Sequence, residues 1–179
     1  MAGHQSTRCR LKDNISLIGA AAENNAIGYR GLIPWHIRAD FQYFKRITMG
    51  HPVIMGLGTW RSFSERCLPG RRNLVVTDQP LTEADRASGA EFFSTPDEAL
   101  AAAAGAREIF IIGGGMMYRQ MIERADRVYV TRIHTVVEPA DAFFPEIDPA
   151  KWEEILRSIR YHDEASGLDY TFILYEKRK

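Results

Sequence analysis

The chain has 179 residues, and its 23 Lys plus Arg balance its 23 Asp plus Glu, so its formal net charge at pH 7 is zero. This length allows one domain with a substantial core, or at most two small domains. The zero net charge argues against a protein that holds nucleic acid or an anionic membrane through bulk positive charge. No apolar run is long enough for a transmembrane helix.

The two cysteines, Cys9 and Cys67, form neither a metal-type spacing nor a disulfide framework. We therefore predict no metal site and a reducing, cytoplasmic location. Residues 1–14 are polar and lack the apolar core of a secretory signal. We interpret them as a flexible N-terminal extension that precedes a single domain over residues 15–179.

Strand and helix patterns alternate along the first half of this domain. The apolar run 15–21 predicts a buried strand. Residues 23–35 are rich in Asn, Gly and Pro and predict a long, functional loop. A helix over 37–48, a second buried strand over 52–56 and a short helix over 59–65 are expected to follow.

The second half continues the alternation. Strands are predicted at 73–77, 108–112 and 127–133, and helices at 96–104 and 116–124. Residues 152–161 and 170–177 are predicted to form an antiparallel pair around a turn at 165–167. This order predicts an α/β fold, a single domain with a central, mostly parallel twisted sheet, an antiparallel C-terminal edge and helices on both faces.

The helix over 37–48 carries an acid in an apolar position. Ile37, Phe41, Phe44 and Ile47 share one stripe at helical spacing, and Asp40 falls inside it. A carboxyl group held against apolar side chains is expected to have a raised pKa, which would suit a proton donor or a clamp for a cationic ligand. The alternative is an ordinary first-turn Asp that complements the helix dipole.

Two glycine-containing segments are candidates for ligand binding. Gly113, Gly114 and Gly115 separate a strand from a helix, where backbone amides can approach a phosphate closely. The alternative is a tight turn only, and the G-x-G-x-x-G fingerprint is absent because Tyr118 occupies the sixth place. The apolar strand and the helix that flank the glycines favour the phosphate site. The loop around Trp35 is either a lid over a flat ligand or a surface loop anchored by that indole ring.

Two further polar residues are candidates with common structural alternatives. Arg71 follows a turn and precedes a strand, so it is able to grip a carboxylate, although solvated surface arginines are frequent. Thr131 places a hydroxyl in an apolar strand, where it would reach a buried acid such as Asp40. Threonine is also a common strand residue for packing reasons alone.

Taken together, these segments resemble bacterial dihydrofolate reductase over residues 15–178. The resemblance rests on the order and spacing of several short motifs. They are Ile15-Ser16-Leu17-Ile18, Ile27-Gly28, Ile33-Pro34-Trp35, Ala39-Asp40, Phe44-Lys45, Pro52-Val53-Ile54-Met55-Gly56, Thr59-Trp60, Leu68-Pro69-Gly70-Arg71, Ile112-Gly113-Gly114-Gly115 with Tyr118, Tyr129-Val130-Thr131 and Phe144-Pro145.

The resemblance implies hydride transfer from a reduced nicotinamide to dihydrofolate, with a proton added at the neighbouring ring nitrogen. It implies that Asp40 promotes this protonation through water, that Thr131 bonds Asp40, and that Trp35 orders the water. Arg71 would bind the α-carboxylate of the glutamate tail. The implied substrate-binding residues are Ile33, Phe41, Phe44, Phe63, Arg71, Ile112 and Tyr118.

The implied cofactor is NADPH, with a cis peptide between Gly113 and Gly114. The cofactor-binding residues that the resemblance implies are Ala20, Ile27, Gly28, Gly58, Thr59, Thr77, Asp78, Gly113, Gly114, Gly115 and Met116. Four positions near the 2′-phosphate depart from the family pattern by being neutral or acidic, namely Leu57, Gly58, Asp78 and Met116. We therefore hypothesise that NADH competes with NADPH, unless Arg61, Arg72 or another base compensates.

Other functions remain open at this stage. They are a related pterin or pyrimidine reductase of the riboflavin-pathway type, and a dinucleotide-binding module without turnover. The expected partners are dihydrofolate and antifolate inhibitors, with neither nucleic acid nor a membrane. We expect the protein to be a monomer.

Overall fold

The computed structural model describes residues 14–179, so residues 1–13 of the predicted extension lie outside the described residues. Asn14, the last residue of that extension, is tied to the body of the protein. Its backbone carbonyl accepts a hydrogen bond from the Ile109 amide at 2.7 Å. Its side-chain amide donates to the Arg107 carbonyl at 2.8 Å.

Eleven strands and five α-helices make up the described part of the chain. The strands are β1 Ile15–Ala22, β2 Ala26–Gly28, β3 Val53–Gly56, β4 Asn73–Val76, β5 Glu91–Phe93, β6 Ile109–Ile111, β7 Arg127–Ile133, β8 Ala142–Phe143, β9 Trp152–Arg157, β10 Tyr161–Asp163 and β11 Leu168–Lys177. The helices are α1 Arg38–Thr48, α2 Leu57–Ser62, α3 Glu83–Ala87, α4 Pro96–Ala102 and α5 Gly115–Met121, which continues into a 3-10 turn at Ile122–Arg124.

The main sheet has the strand order β10-β11-β7-β1-β6-β3-β4-β5, and β9 also pairs with β11. The six strands from β7 to β5 are parallel to their neighbours. Strand β11 runs antiparallel to β7, β9 and β10, which makes the C-terminal edge antiparallel. This arrangement confirms the predicted fold class.

Both faces of the sheet are covered, which explains why its strands read as continuous apolar runs. Successive side chains of β3 point to opposite faces. Val53 and Met55 pack with Trp60 of α2, whereas Ile54 belongs to a second cluster that includes Leu100 of α4 and Met117 of α5.

Two pairs of short elements were not predicted. Strand β2 lies inside the predicted loop 23–35 and pairs with β8, with Ala26 opposite Phe143 and Gly28 opposite Ala142. Helix α3 and strand β5 fall in a segment to which no element was assigned. Each is at most five residues long, too short for the periodicity of side chains to reveal it.

Asp85 holds α2 and α3 together. Its carboxylate is buried and accepts hydrogen bonds from the Trp60 indole at 3.0 Å and from Arg61 at 2.7 and 3.1 Å. It also completes a capping box with Thr82 at the start of α3. The Arg61 guanidinium and the other donors hold the pKa of Asp85 well below its ordinary value.

Candidate active site

A cavity of about 830 Å³ opens at the carboxyl ends of the parallel strands. Its walls include residues at or just after the ends of β3, β4 and β6, together with residues from β1, α1 and the loop before α1. In open α/β sheets this edge is where ligands bind. With the exception of Arg71, every predicted site residue lines this cavity.

Asp40 and Thr131 meet at one end of the cavity. The Thr131 hydroxyl donates to Oδ1 of Asp40 at 2.6 Å. Thr131 is buried in β7, where it pairs with Ala20 of β1 and Phe172 of β11. Asp40 does lie in the first turn of α1, but its side chain faces this hydroxyl and the cavity.

The carboxyl group of Asp40 has a perturbed pKa. Burial raises its pKa above the ordinary value, and the hydrogen bond from Thr131 opposes part of that rise. The group is therefore easier to protonate than a solvated Asp. It is the only carboxyl in the described residues whose resolved pKa shift is upward; the other four resolved shifts are downward. A perturbed acid in a cleft is a candidate for proton-transfer chemistry.

Trp35 anchors the loop before α1 to the core and also lines the cavity. It is 9% exposed and packs with Ile37, Ile133 and Tyr170. Ile37 is fully buried at the N-cap position of α1 and fixes the helix on which Asp40 stands.

The walls around Asp40 are apolar. Ile33 is 56% exposed and Phe41 is 44% exposed, and both line the cavity, as do the partly buried Phe44 and Phe63 and the buried Ile112. Exposed apolar side chains that converge on a concave site are typical of a pocket for a flat, apolar ligand. The stripe predicted on α1 is therefore split between the core and this slot.

Tyr43 also lines the cavity and was not predicted as a site residue. Its ring stacks on Phe172 of β11 with the ring centroids 4.1 Å apart. The available signal was its position three residues after Asp40 on the same helix. Burial raises the pKa of its hydroxyl, and the charge of Asp40 adds to the rise.

Tyr118 is committed to the protein rather than free to bind a ligand. Its hydroxyl donates to the Ile18 carbonyl at 2.7 Å and fixes α5 against β1. A Cβ on Gly19 would lie only 2.6 Å from this hydroxyl, so the close approach requires glycine. Tyr118 lines the cavity, but its donor is already used.

The glycine turn after β6 forms part of the opposite half of the cavity. The Gly113–Gly114 peptide is cis, as the resemblance implied. A Cβ on Gly113 would lie 2.9 Å from the Thr59 hydroxyl, and one on Gly115 would lie 3.0 Å from the Phe143 carbonyl. Packing thus accounts for two of the three glycines, while the turn as a whole lines the cavity beside Thr59.

Arg71 does not line the cavity, and its predicted contact with the substrate tail stays a prediction. Its guanidinium donates to the hydroxyl of Thr48, the last residue of α1, at 3.0 Å, and to the Pro69 carbonyl at 3.0 Å. Thr48 is eight residues along α1 from Asp40, which corresponds to about 12 Å of helix. Within residues 14–179 no carboxylate pairs with Arg71, and burial lowers the pKa of its guanidinium.

The charge of the cavity lining is negative. Of the residues that the structure describes, Asp40, Asp78 and Asp141 line it, and no Lys or Arg does. Leu57, Gly58 and Met116, the neutral departures noted in the sequence, are among the lining residues too.

Residues 14–179 contain neither a metal-type cluster of side chains nor a helix suited to span a membrane. No group of three or more His, Cys, Asp or Glu is placed to hold a metal ion there. Across the same range, the helices are all too short or too polar to cross a membrane.

Comparisons with known proteins identify the family to which this chain is similar. The family model described as dihydrofolate reductase matches residues 14–177. A dihydrofolate reductase of Neisseria gonorrhoeae is 45% identical over 162 residues, which cover 90% of this chain and 96% of that protein. One from Bacillus subtilis is 40% identical over 164 residues, which cover 92% of this chain and 95% of that protein.

A solved structure has the same fold. It is the dihydrofolate reductase from Enterococcus faecalis complexed with NADP(H) and RAB-propyl. The two structures superpose with a TM-score of 0.82 at 30% sequence identity, over 94% of this chain and 98% of that one.

The raised pKa of Asp40 predicts a pH-dependent stability effect. The pKa of Asp40 is higher in the folded than in the unfolded protein, so the group does not reduce the free energy of unfolding at low pH. It reduces that free energy as the pH rises through the folded-state pKa. We expect Asp40→Asn to have a higher free energy of unfolding than the parent at neutral pH, because the amide still accepts the Thr131 bond without carrying charge. Urea denaturation from neutral pH down to pH 4 measures this difference, which should narrow as the pH falls.

The matched control is Glu164→Gln, which neutralises an exposed acid in the turn between β10 and β11. It should change stability little at any of these pH values. Two results would contradict the claim that ionised Asp40 destabilises the fold. One is an Asp40→Asn variant that is no more stable than the parent at neutral pH, and the other is a stability difference that is the same at every pH.

Proposed function

The chain belongs to the dihydrofolate reductase family, and we propose that its cavity reduces 7,8-dihydrofolate to 5,6,7,8-tetrahydrofolate with NADPH as reductant. The single observation that carries the proposal is the Asp40 carboxyl, bonded to Thr131 at the end of an apolar slot. The reaction adds a hydride to C6 and a proton to N5 of the pterin, and leaves the oxidised dinucleotide. This activity supplies tetrahydrofolate for one-carbon metabolism.

The cleft has room and suitable groups for a nicotinamide dinucleotide. The glycine turn and the Thr59 hydroxyl line the cavity, where they would hold the pyrophosphate, and Thr77 lines it beyond them at the end of β4. Ala20 and Ile27 also line the cavity and would offer backbone groups to the nicotinamide carboxamide, with Gly28 beside them. When bound, NADPH supplies the hydride.

Asp40 would bind the N–H donors on the amidine-like edge of the pterin. Its raised pKa favours the protonated form more than in a solvated Asp, so it is suited to promote protonation of N5 through water. Thr131 holds the carboxyl through Oδ1, and Oδ2 would accept the N–H donors of the substrate. Trp35 would order the water that connects the two.

The apolar walls would exclude bulk water from this slot. Ile33, Phe41, Phe44, Phe63 and Ile112 would enclose the pterin and the aromatic part of the substrate. A drier slot strengthens the interaction between the carboxyl and the pterin. Antifolate inhibitors would compete for the same slot.

Arg71 is proposed to bind the α-carboxylate of the glutamate tail from just outside the cavity. Its guanidinium has no carboxylate partner within the described chain, and it lies at the far end of the helix whose first turn carries Asp40. A substrate that lies along α1 would therefore place its pterin at one end and its tail at the other.

Family membership sets aside the riboflavin-pathway reductase. A dinucleotide-binding module without turnover would leave the absorbance near 340 nm unchanged in the presence of dihydrofolate and NADPH, whereas a reductase would lower it. The monomeric state, the cytoplasmic location and the lack of nucleic-acid binding stay predictions.

Replacing Asp40 by Asn should slow hydride transfer at neutral pH by about a hundredfold or more, the usual scale of general acid catalysis. The Asn side chain still accepts the hydrogen bond from Thr131, but it has no ionisable group that can promote protonation of the pterin. Single-turnover absorbance measurements at several pH values check this, with Glu164→Gln as the control for loss of one negative charge. A rate close to that of the parent at neutral pH would remove Asp40 from the mechanism.

Replacing Arg71 by Met should raise the KM for dihydrofolate by about tenfold or more, because a charge-assisted hydrogen bond to the tail is lost. The kcat should change little, since Arg71 lies away from Asp40. The matched control is Arg72→Met, because Arg72 is paired with Glu91 instead. An unchanged KM in the Arg71 variant, or an equal rise in both variants, would exclude the proposed contact.

A further inference from the structure

The cleft has an adenosine end that can be located from the topology of the sheet. Asp40 and Thr131 lie against β7 and β1, whereas Thr77 and Asp78 follow β4 and Ser94 follows β5 at the other side of the parallel sheet. Four strand spacings separate β7 from β4, which amounts to about 19 Å. The inference rests on the proposed function to the extent that the nicotinamide lies beside Asp40. The adenosine ribose then lies beyond the glycine turn, near β3 and β4.

This end of the cleft carries a negative charge and no positive one within the described residues. Leu57 and Gly58 follow β3, Met116 follows the glycine turn and Asp78 follows β4, and all four line the cavity, with Asp78 as the acid among them. Asp78 is exposed, and its Oδ1 accepts a hydrogen bond from the side-chain amide of Gln79 at 3.0 Å. Oδ2 is therefore available to a ligand.

Arg61 and Arg72, the two arginines that the sequence analysis considered as compensating bases, are engaged elsewhere. Arg61 is paired with Asp85 at 2.7 Å and with Glu65 at 3.2 Å. Arg72 is paired with Glu91 at 2.7 Å and also donates to the Ala102 carbonyl at 3.1 Å. Neither lines the cavity, and each would have to give up these partners to reach a ligand in it.

The chemistry of the ribose distinguishes the two cofactors. NADH presents a 2′-hydroxyl, which donates well to a carboxylate, whereas NADPH presents a 2′-phosphate with about two negative charges. A carboxylate accepts the hydroxyl and repels the phosphate. An arginine fork is the usual partner of the phosphate, and the described lining lacks one.

We propose that this cleft does not select for the 2′-phosphate and binds NADH at least comparably to NADPH, with Asp78 as the residue that accepts the ribose 2′-hydroxyl. Asp78 is thus a specificity-determining residue of the cofactor end. The glycine turn and Thr59 serve both cofactors equally, since they lie on the pyrophosphate side.

Direct binding tests the proposal independently of turnover. Isothermal titration of the full chain with NADPH and with NADH, without dihydrofolate, should give dissociation constants within about tenfold of each other, or tighter for NADH. Asp78→Ala should weaken the binding of NADH and strengthen the binding of NADPH. The ratio of the two dissociation constants should therefore change by about tenfold in favour of NADPH. Glu164→Ala, which removes a remote exposed acid, should leave the ratio unchanged.

A complementary variant installs the missing cation. Leu57→Arg should strengthen the binding of NADPH by about tenfold and leave the binding of NADH nearly unchanged, because only the 2′-phosphate gains a charge-assisted hydrogen-bond partner. The proposal is overturned by a parent that binds NADPH more than about tenfold tighter than NADH. It is overturned equally by an Asp78→Ala variant with the parent's ratio.

The same titrations separate this proposal from the proposed function. If NADPH alone binds tightly and dihydrofolate is reduced, the reductase function stands and the role of Asp78 falls. If both dinucleotides bind comparably and dihydrofolate is not reduced, the role of Asp78 stands and the reductase function falls. If neither dinucleotide binds, both are wrong.

Discussion

The hydrogen bond from Thr131 to Asp40 is the contact on which the active-site geometry depends. A carboxyl group in an apolar slot is costly to ionise, and one fixed donor at 2.6 Å both holds it and limits that cost. The bond requires β7 to lie beside β1 with Thr131 facing α1, and it requires Ile37 to seat the start of that helix. The position of the Asp40 carboxyl group therefore depends both on the register of the sheet and on the placement of α1.

The cleft combines two chemical environments along one edge of the sheet. The end near β7 is an apolar slot with one perturbed acid, which suits a flat heterocycle that must gain a proton. The end near β4 is polar and acidic, and the described lining has no basic side chain there. On the proposed assignments, specificity for the reaction and specificity for the cofactor are set by different strands, so one can change without the other.

The sequence predicted the main strands and α1 because long periodic or apolar segments leave a clear pattern. It missed α3 and β5, since single turns and three-residue strands carry no period, although the Thr82–Asp85 capping box was readable. Strand β2 depends on its distant partner β8, which local sequence does not encode. Asp40 was recognisable because its residue type conflicted with its place on the helix, whereas Arg71 and Tyr118 required coordinates to show which of their donors were already used.

Titration of the Asp40 carboxyl tests the account most directly. Carbon-13 NMR of labelled Asp side chains in the ligand-free protein, assigned with Asp40→Asn, would report this pKa. The account requires a pKa above the ordinary 3.8 and a further rise in Thr131→Val, which removes the bond that lowers it. An Asp40 pKa at or below 3.8, unmoved by Thr131→Val, would contradict the claim that this acid is sequestered in the slot.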